Sequence, residues 1–103
     1  MKEISPQDAA NELIAGTAVI LDVREHSELL EAAVDGVLHI PMQEVPERLN
    51  ELDPSQRLIV MCKLGGRSAM VCEHLNTQGF ADVSNLTGGI YAWAAAVDKS
   101  VIK

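Results

Sequence analysis

The chain has little positive charge: eight lysines and arginines stand against fifteen aspartates and glutamates, a net charge of −7 over 103 residues. That balance argues against nucleic acid or an acidic membrane surface as a partner, since both reward a basic patch. No apolar run approaches the length of a bilayer span. Met1 to Pro6 lacks a basic stretch followed by an apolar core, so the expectation is a chain without a signal peptide, working in the cytoplasm. Cysteine is scarce as well, and two cysteines in a chain read as cytosolic are expected as thiols, not as a disulfide. Repeats, low-complexity tracts and linkers are missing too, which leaves one domain over residues 1–103 as the expectation. Apolar residues make up 48% of the sequence and charged residues 22%, a mix that excludes disorder and supports a single core without a structural metal.

What is present is an alternation of helix and strand signals. Ser5, Pro6 and Asp8 mark a helix start, with a capping hydroxyl, proline at the first position and an acid in the first turn. Ala9, Ala10, Leu13 and Ile14 then recur at helical spacing up to Gly16. Ala18 to Val23 is a β-branched run suited to a strand buried on both faces. Ser27 to Ala33 reads as helical, Val37 to Ile40 as a strand stopped by Pro41, and Val45, Leu49 and Leu52 as a short amphipathic helix. A strand over Leu58 to Met61 precedes a helix from about Arg67 to Gln78. Ala81 to Ser84 is expected as a short edge strand, and Gly88-Gly89 turn the chain into a last helix carrying Ile90, Trp93, Ala94 and Val97. The pattern predicts an α/β fold with a small, mainly parallel sheet. Ligands of such sheets sit beyond the carboxyl ends of the strands.

Cys62 falls at such an end. It is followed by Lys63, Leu64, Gly65, Gly66, Arg67 and Ser68, between a strand and a helix. N–H groups at a helix start have no intrahelical partner and, with the positive end of the helix dipole, favour an anion there. Two glycines let the loop curl so that successive N–H groups converge on the sulfur, and Lys63 and Arg67 add positive charge. The chemistry implied is a thiolate nucleophile in an anion-binding cradle. Cys72 falls on the apolar stripe of the next helix with Val71 and Leu75 and reads as a core residue. His26, His39 and His74 stand at no metal-ligand spacing and are expected as surface or loosely packed residues. Arg24 and Glu25 follow a strand end, where they either reach the rim of the site or tie loops together as an ion pair, with Asp22 bonded to nearby backbone. Gly88-Gly89 superficially resemble a phosphate loop, and a tight turn explains them better.

Four fragments in order resemble the single-domain rhodaneses, the thiosulfate sulfurtransferase-like family, over nearly the whole length. They are Leu21-Asp22-Val23-Arg24-Glu25, the strand Val37 to Pro41 after Gly36, the loop Cys62 to Ser68, and Leu86-Thr87-Gly88-Gly89-Ile90-Tyr91-Ala92-Trp93. The resemblance implies the rhodanese-like form of the α/β fold, with helices on both faces of the sheet. It also implies a mechanism in which Cys62 attacks the outer sulfur of a donor such as thiosulfate, becomes a persulfide, and passes that sulfur to cyanide or a thiol such as thioredoxin or glutathione. Lys63, Leu64, Gly65, Gly66, Arg67 and Ser68 would then line the donor site, with Lys63 attracting its charge and Arg67 bracing the loop. No cofactor or metal is implied, and a monomer is expected. Many relatives carry His-Ile-Pro-Gly where this chain has Ala33-Val34-Asp35-Gly36, a difference that bears on packing more than on activity. Two other readings stay open: a persulfide carrier sharing the same site, and a cysteine phosphatase. The second is disfavoured because four residues, not five, separate Cys62 from Arg67.

Overall fold

A computed structural model describes residues 1–103. The sheet has five strands: β1 (Lys2–Ile4), β2 (Val19–Asp22), β3 (Leu38–His39), β4 (Leu58–Met61) and β5 (Val83–Leu86). Their order is β1-β5-β4-β2-β3, and every neighbouring pair is parallel. Three α-helices connect them: α1 (Pro6–Ala15), α2 (Gly66–Thr77) and α3 (Gly89–Ala96), with 3₁₀ segments at His26–Leu30, Met42–Glu51 and Lys99–Val101.

Alternation along β4 divides the interior. Ile59 and Met61 face a cluster that holds Ile20, Leu86, Ala9, Ile90 and Trp93, which packs α1 and α3 on one face. Leu58, Val60 and Cys62 face the opposite cluster, with Val71, Cys72 and Leu75 of α2 and Val45 of the Met42–Glu51 segment. A strand period of two thus sends residue 62 toward α2 and away from α3. Both faces of the sheet are covered, and all four residues of β4 are buried, as a parallel sheet requires.

Local chemistry sets the ends. Ser5 Oγ accepts the Asp8 N–H at 3.2 Å, Pro6 opens α1, and Gly16 closes it at φ 74°. Two expectations need correction. The strand expected over Ala81 to Ser84 lies at Val83–Leu86 and is internal, between β1 and β4; the edge is β1, where no element was expected. The polar residues of β5, Ser84 and Asn85, are both buried. The helices expected over 27–33 and around Val45 are 3₁₀. Pro46 lies inside the second and has no N–H for an α-helical bond, and Arg48 is non-helical at φ −117°.

Candidate active site

Cys62 follows directly on β4 and precedes α2, so its sulfur lies where the helix presents unpaired N–H groups. Sγ accepts the Gly65 N–H at 3.0 Å, and the Ser68 hydroxyl oxygen is 3.3 Å away. Gly65 reaches this geometry at φ 112°, where a side chain would be strained. The residue is 1% exposed, so the sulfur forms the floor of the loop. Burial pushes its pKa up. The Ser68 hydroxyl, together with the N–H groups of Ser68, Gly65 and Leu64, outweighs burial and holds the thiol below its ordinary value. The arrangement stabilises a sulfur anion by fixed dipoles.

The loop rests on the start of α3. The Ile90 N–H donates to the Cys62 carbonyl at 2.9 Å and the Tyr91 N–H to the Lys63 carbonyl at 3.4 Å. A Cβ built on Gly89 would fall 2.5 Å from the Cys62 carbonyl oxygen, with φ already at +65°. Gly89 is therefore the point of close approach between two chain segments, which the turn expected there does not convey. A Gly-Gly pair before a helix was the available signal; the contact itself is not local.

Arg67 braces the loop from the side. Its two terminal nitrogens meet the two carboxylate oxygens of Glu28 at 2.6 and 2.8 Å, and Glu28 also accepts the Glu25 N–H at 2.9 Å. The bond from Arg67 holds the Glu28 carboxyl down at about 2. Arg24 does not reach the rim. It forms a buried pair with Asp22 at 2.8 Å and donates to the carbonyls of Glu28 and Ala32 at 3.1 and 2.8 Å, while Asp22 Oδ1 also accepts the Arg24 N–H. This ion pair ties the segment after β2 together. Lys63 Nζ lies 5.3 Å from the Tyr91 ring centroid, Leu64 is exposed beside it, and Gly66 opens α2.

The seven residues Cys62 to Ser68 thus form one structure, and Glu28, Gly89, Asn85 and Glu3 join it from elsewhere in the chain. Asn85 meets Ser68 at 2.5 Å and Glu3 at 3.1 Å. Cys72 sits in the core on α2, where burial first, and then the charge of Glu3, push its thiol up to about 12. His39 Nε2 donates to the Arg24 carbonyl at 2.6 Å and meets the His26 ring edge-on at 4.7 Å. No three His, Cys, Asp or Glu side chains converge as a metal site. No helix is long and apolar enough to cross a membrane.

The model of the Rhodanese-like domain family matches residues 5–96. Rhodanese-like/PpiC domain-containing protein 12, chloroplastic, of Arabidopsis thaliana is 39% identical over 88 residues; the match takes 82% of this chain and spans 29% of that protein. Putative sulfurtransferase YtwF of Bacillus subtilis is 36% identical over 94 residues, 90% of each chain. Among solved structures, a rhodanese-related protein from Thermoplasma volcanium superposes with a TM-score of 0.85 at 28% identity, covering 94% of each chain.

Proposed function

The chain belongs to the rhodanese-like domain family, and from that premise we propose that it is a sulfurtransferase whose cargo is a sulfane sulfur held on Cys62 as a persulfide. The observation that carries the reading is the cradle: Sγ accepting the Gly65 N–H at 3.0 Å, with the thiol held below its ordinary pKa by surrounding donors. The similarity to a protein named a putative sulfurtransferase supports it.

The Cys62 thiolate attacks the outer sulfur of a thiosulfate-type donor. A bond forms between Sγ and that sulfur, the donor's S–S bond breaks, and sulfite leaves with the electron pair. An acceptor thiolate or cyanide then attacks the terminal sulfur, and Cys62 departs as a thiolate, returned to its starting state. N–H groups that held the first anion also hold the persulfide anion. Lys63 brings positive charge to the mouth of the loop for the donor, and Arg67, committed to Glu28, keeps the loop in shape. Because Cys62 is 1% exposed, the donor reaches it only as the Cys62 to Ser68 loop opens over the sulfur. Acceptors of the thioredoxin or glutathione type belong to a reducing compartment, consistent with a cytoplasmic role.

A phosphatase reading has less support. Arg67 follows Cys62 after four residues, and one N–H of each of its terminal nitrogens is committed to Glu28, a bidentate pairing that holds the guanidinium in its bracing role. A persulfide carrier shares the first half of the chemistry. Treatment with thiosulfate is expected to add the mass of one sulfur to the protein, and Cys62→Ser to abolish both that adduct and thiocyanate formation from cyanide. An unchanged adduct in the mutant moves the site elsewhere. An adduct without turnover identifies a carrier.

A further inference from the structure

The hydroxyl of Ser68 faces three acceptors and owns one proton. Its oxygen lies 3.3 Å from Cys62 Sγ, 3.2 Å from the Gly65 carbonyl oxygen and 2.5 Å from Asn85 Oδ1. The direction of the Asn85 amide is fixed by chemistry. Its Nδ2 is 3.1 Å from Glu3 Oε2 and 3.1 Å from the Gly65 carbonyl oxygen. A carboxylate and a carbonyl only accept, so the NH₂ turns to them and the amide oxygen turns to Ser68. Thr87 Oγ1 donates to Glu3 Oε1 at 2.8 Å and steadies the carboxylate. Ser68 and Asn85 are both buried, and the competition is decided among these groups.

We propose that Asn85 is a positioning residue that competes with Cys62 for the Ser68 proton, and thereby sets how strongly Ser68 stabilises the sulfur anion. While the sulfur is a thiol, the hydroxyl donates to Asn85 along the shorter contact, and its oxygen shows a lone pair to Cys62. When the sulfur carries charge, a charge-assisted bond draws the same O–H round to Sγ. Asn85 Oδ1 then loses its donor in a buried setting, which is unfavourable. No bond to hydrogen breaks; the O–H turns. Asn85 thus withholds part of the stabilisation that Ser68 offers, and a less stabilised sulfur anion is the better nucleophile. Only that last consequence rests on the sulfur-transfer reading, because ionisation is measured without a donor.

The charged and titratable groups around Cys62 are Lys63 in its own loop, Arg67 and Cys72 on α2, Glu28 behind Arg67, and Glu3 on β1 behind Asn85. The test changes none of them. Thiolate absorbance in the ultraviolet, followed against pH, reports Cys62 cleanly because Cys72 is held up at about 12. Asn85→Leu is expected to raise the thiolate fraction about three- to tenfold at a pH below the midpoint. Ser68→Ala is expected to undo that gain in the Asn85→Leu protein and to shift the unaltered protein by clearly less. Equal Ser68→Ala shifts in the two backgrounds overturn the proposal, since the proton would then already belong to Cys62. If leucine overpacks the site and prevents folding, Asn85→Ala carries the same expectation, because it too accepts no hydrogen bond. Loss of sulfur transfer with the titration pattern intact would count against the enzyme assignment and leave this inference standing.

Discussion

Cys62 and Cys72 are 1% and 0% exposed and pack into the same apolar cluster with Val71 and Leu75. Burial pushes both thiols up, yet Cys62 ends below its ordinary value and Cys72 at about 12. What separates them is the supply of uncommitted donors. Cys62 stands just before α2 and meets the N–H groups of Gly65, Leu64 and Ser68. Cys72 stands inside α2, where N–H groups are consumed by the helix itself, and the charges of Glu3, of the Cys62 thiolate and of Glu73 add to the penalty on its anion. Ionisation here depends on where the backbone has donors to spare, and on the loop that aims them staying in shape.

The severest way to break the contrast is to remove the seat of that loop. In Gly89→Ala the new methyl would meet the Cys62 carbonyl oxygen at 2.5 Å in a left-handed backbone. Either the loop lifts or α3 shifts. The expected cost is about 3 kcal/mol in denaturant unfolding, from overpacking and backbone strain together. Cys62 should also titrate higher, toward the behaviour of Cys72, and sulfur transfer should fall roughly a hundredfold through misplacement of the nucleophile. A stable Gly89→Ala protein with an unaltered Cys62 titration would show that α3 does not shape the loop.

The same dependence on distant contacts explains what the sequence reading could and could not reach. The cap at Ser5-Pro6, the apolar run of β4 and the cysteine loop are local patterns, and each appears where its residues put it. Gly65 and Ser68 were legible as parts of a cradle because helix starts have spare N–H groups whatever the rest of the chain does. Glu28 gave no such sign. It lies in an acidic stretch that reads as solvated surface, and only the fold brings it against Arg67. Strand β1 has one buried residue, too few for a periodic signal. In β5, polar Ser84 and Asn85 mimic an edge because Asn85 is spent on Ser68 and Glu3. Nor does a spacing of glycines tell that the sulfur lies at the floor of the loop.

A milder perturbation keeps the donors and loosens the brace. The Glu28 carboxyl sits at about 2 against its ordinary 4.5. Its pairing with Arg67 therefore contributes fully above pH 4.5, and that contribution is lost as pH falls from there through 2. With Arg67 partly open to solvent, the loss should be on the order of 1–2 kcal/mol. Glu28→Gln should remove a similar amount at neutral pH and flatten the acid slope of stability between those two values. Cys62 should still titrate well below Cys72, because the N–H groups of its loop remain. An acid slope identical to that of the unaltered protein would mean the ion pair is not what the loop leans on.

The smallest effect sharpens the comparison from the other side. Cys72→Ala removes one buried sulfur from the shared cluster and leaves every donor around Cys62 in place. About 1 kcal/mol of stability should be lost, a modest cavity cost. The Cys62 titration should hardly move, because Cys72 is a thiol throughout the range in which Cys62 ionises and presents no charge to it. Sulfur loading from thiosulfate should persist at one sulfur per chain. A clear shift of Cys62 on losing Cys72, measured by thiolate absorbance in the single-cysteine protein, would make the two sulfurs a coupled pair. The contrast between them would then lie in their mutual charge, and not in the N–H groups at the start of α2.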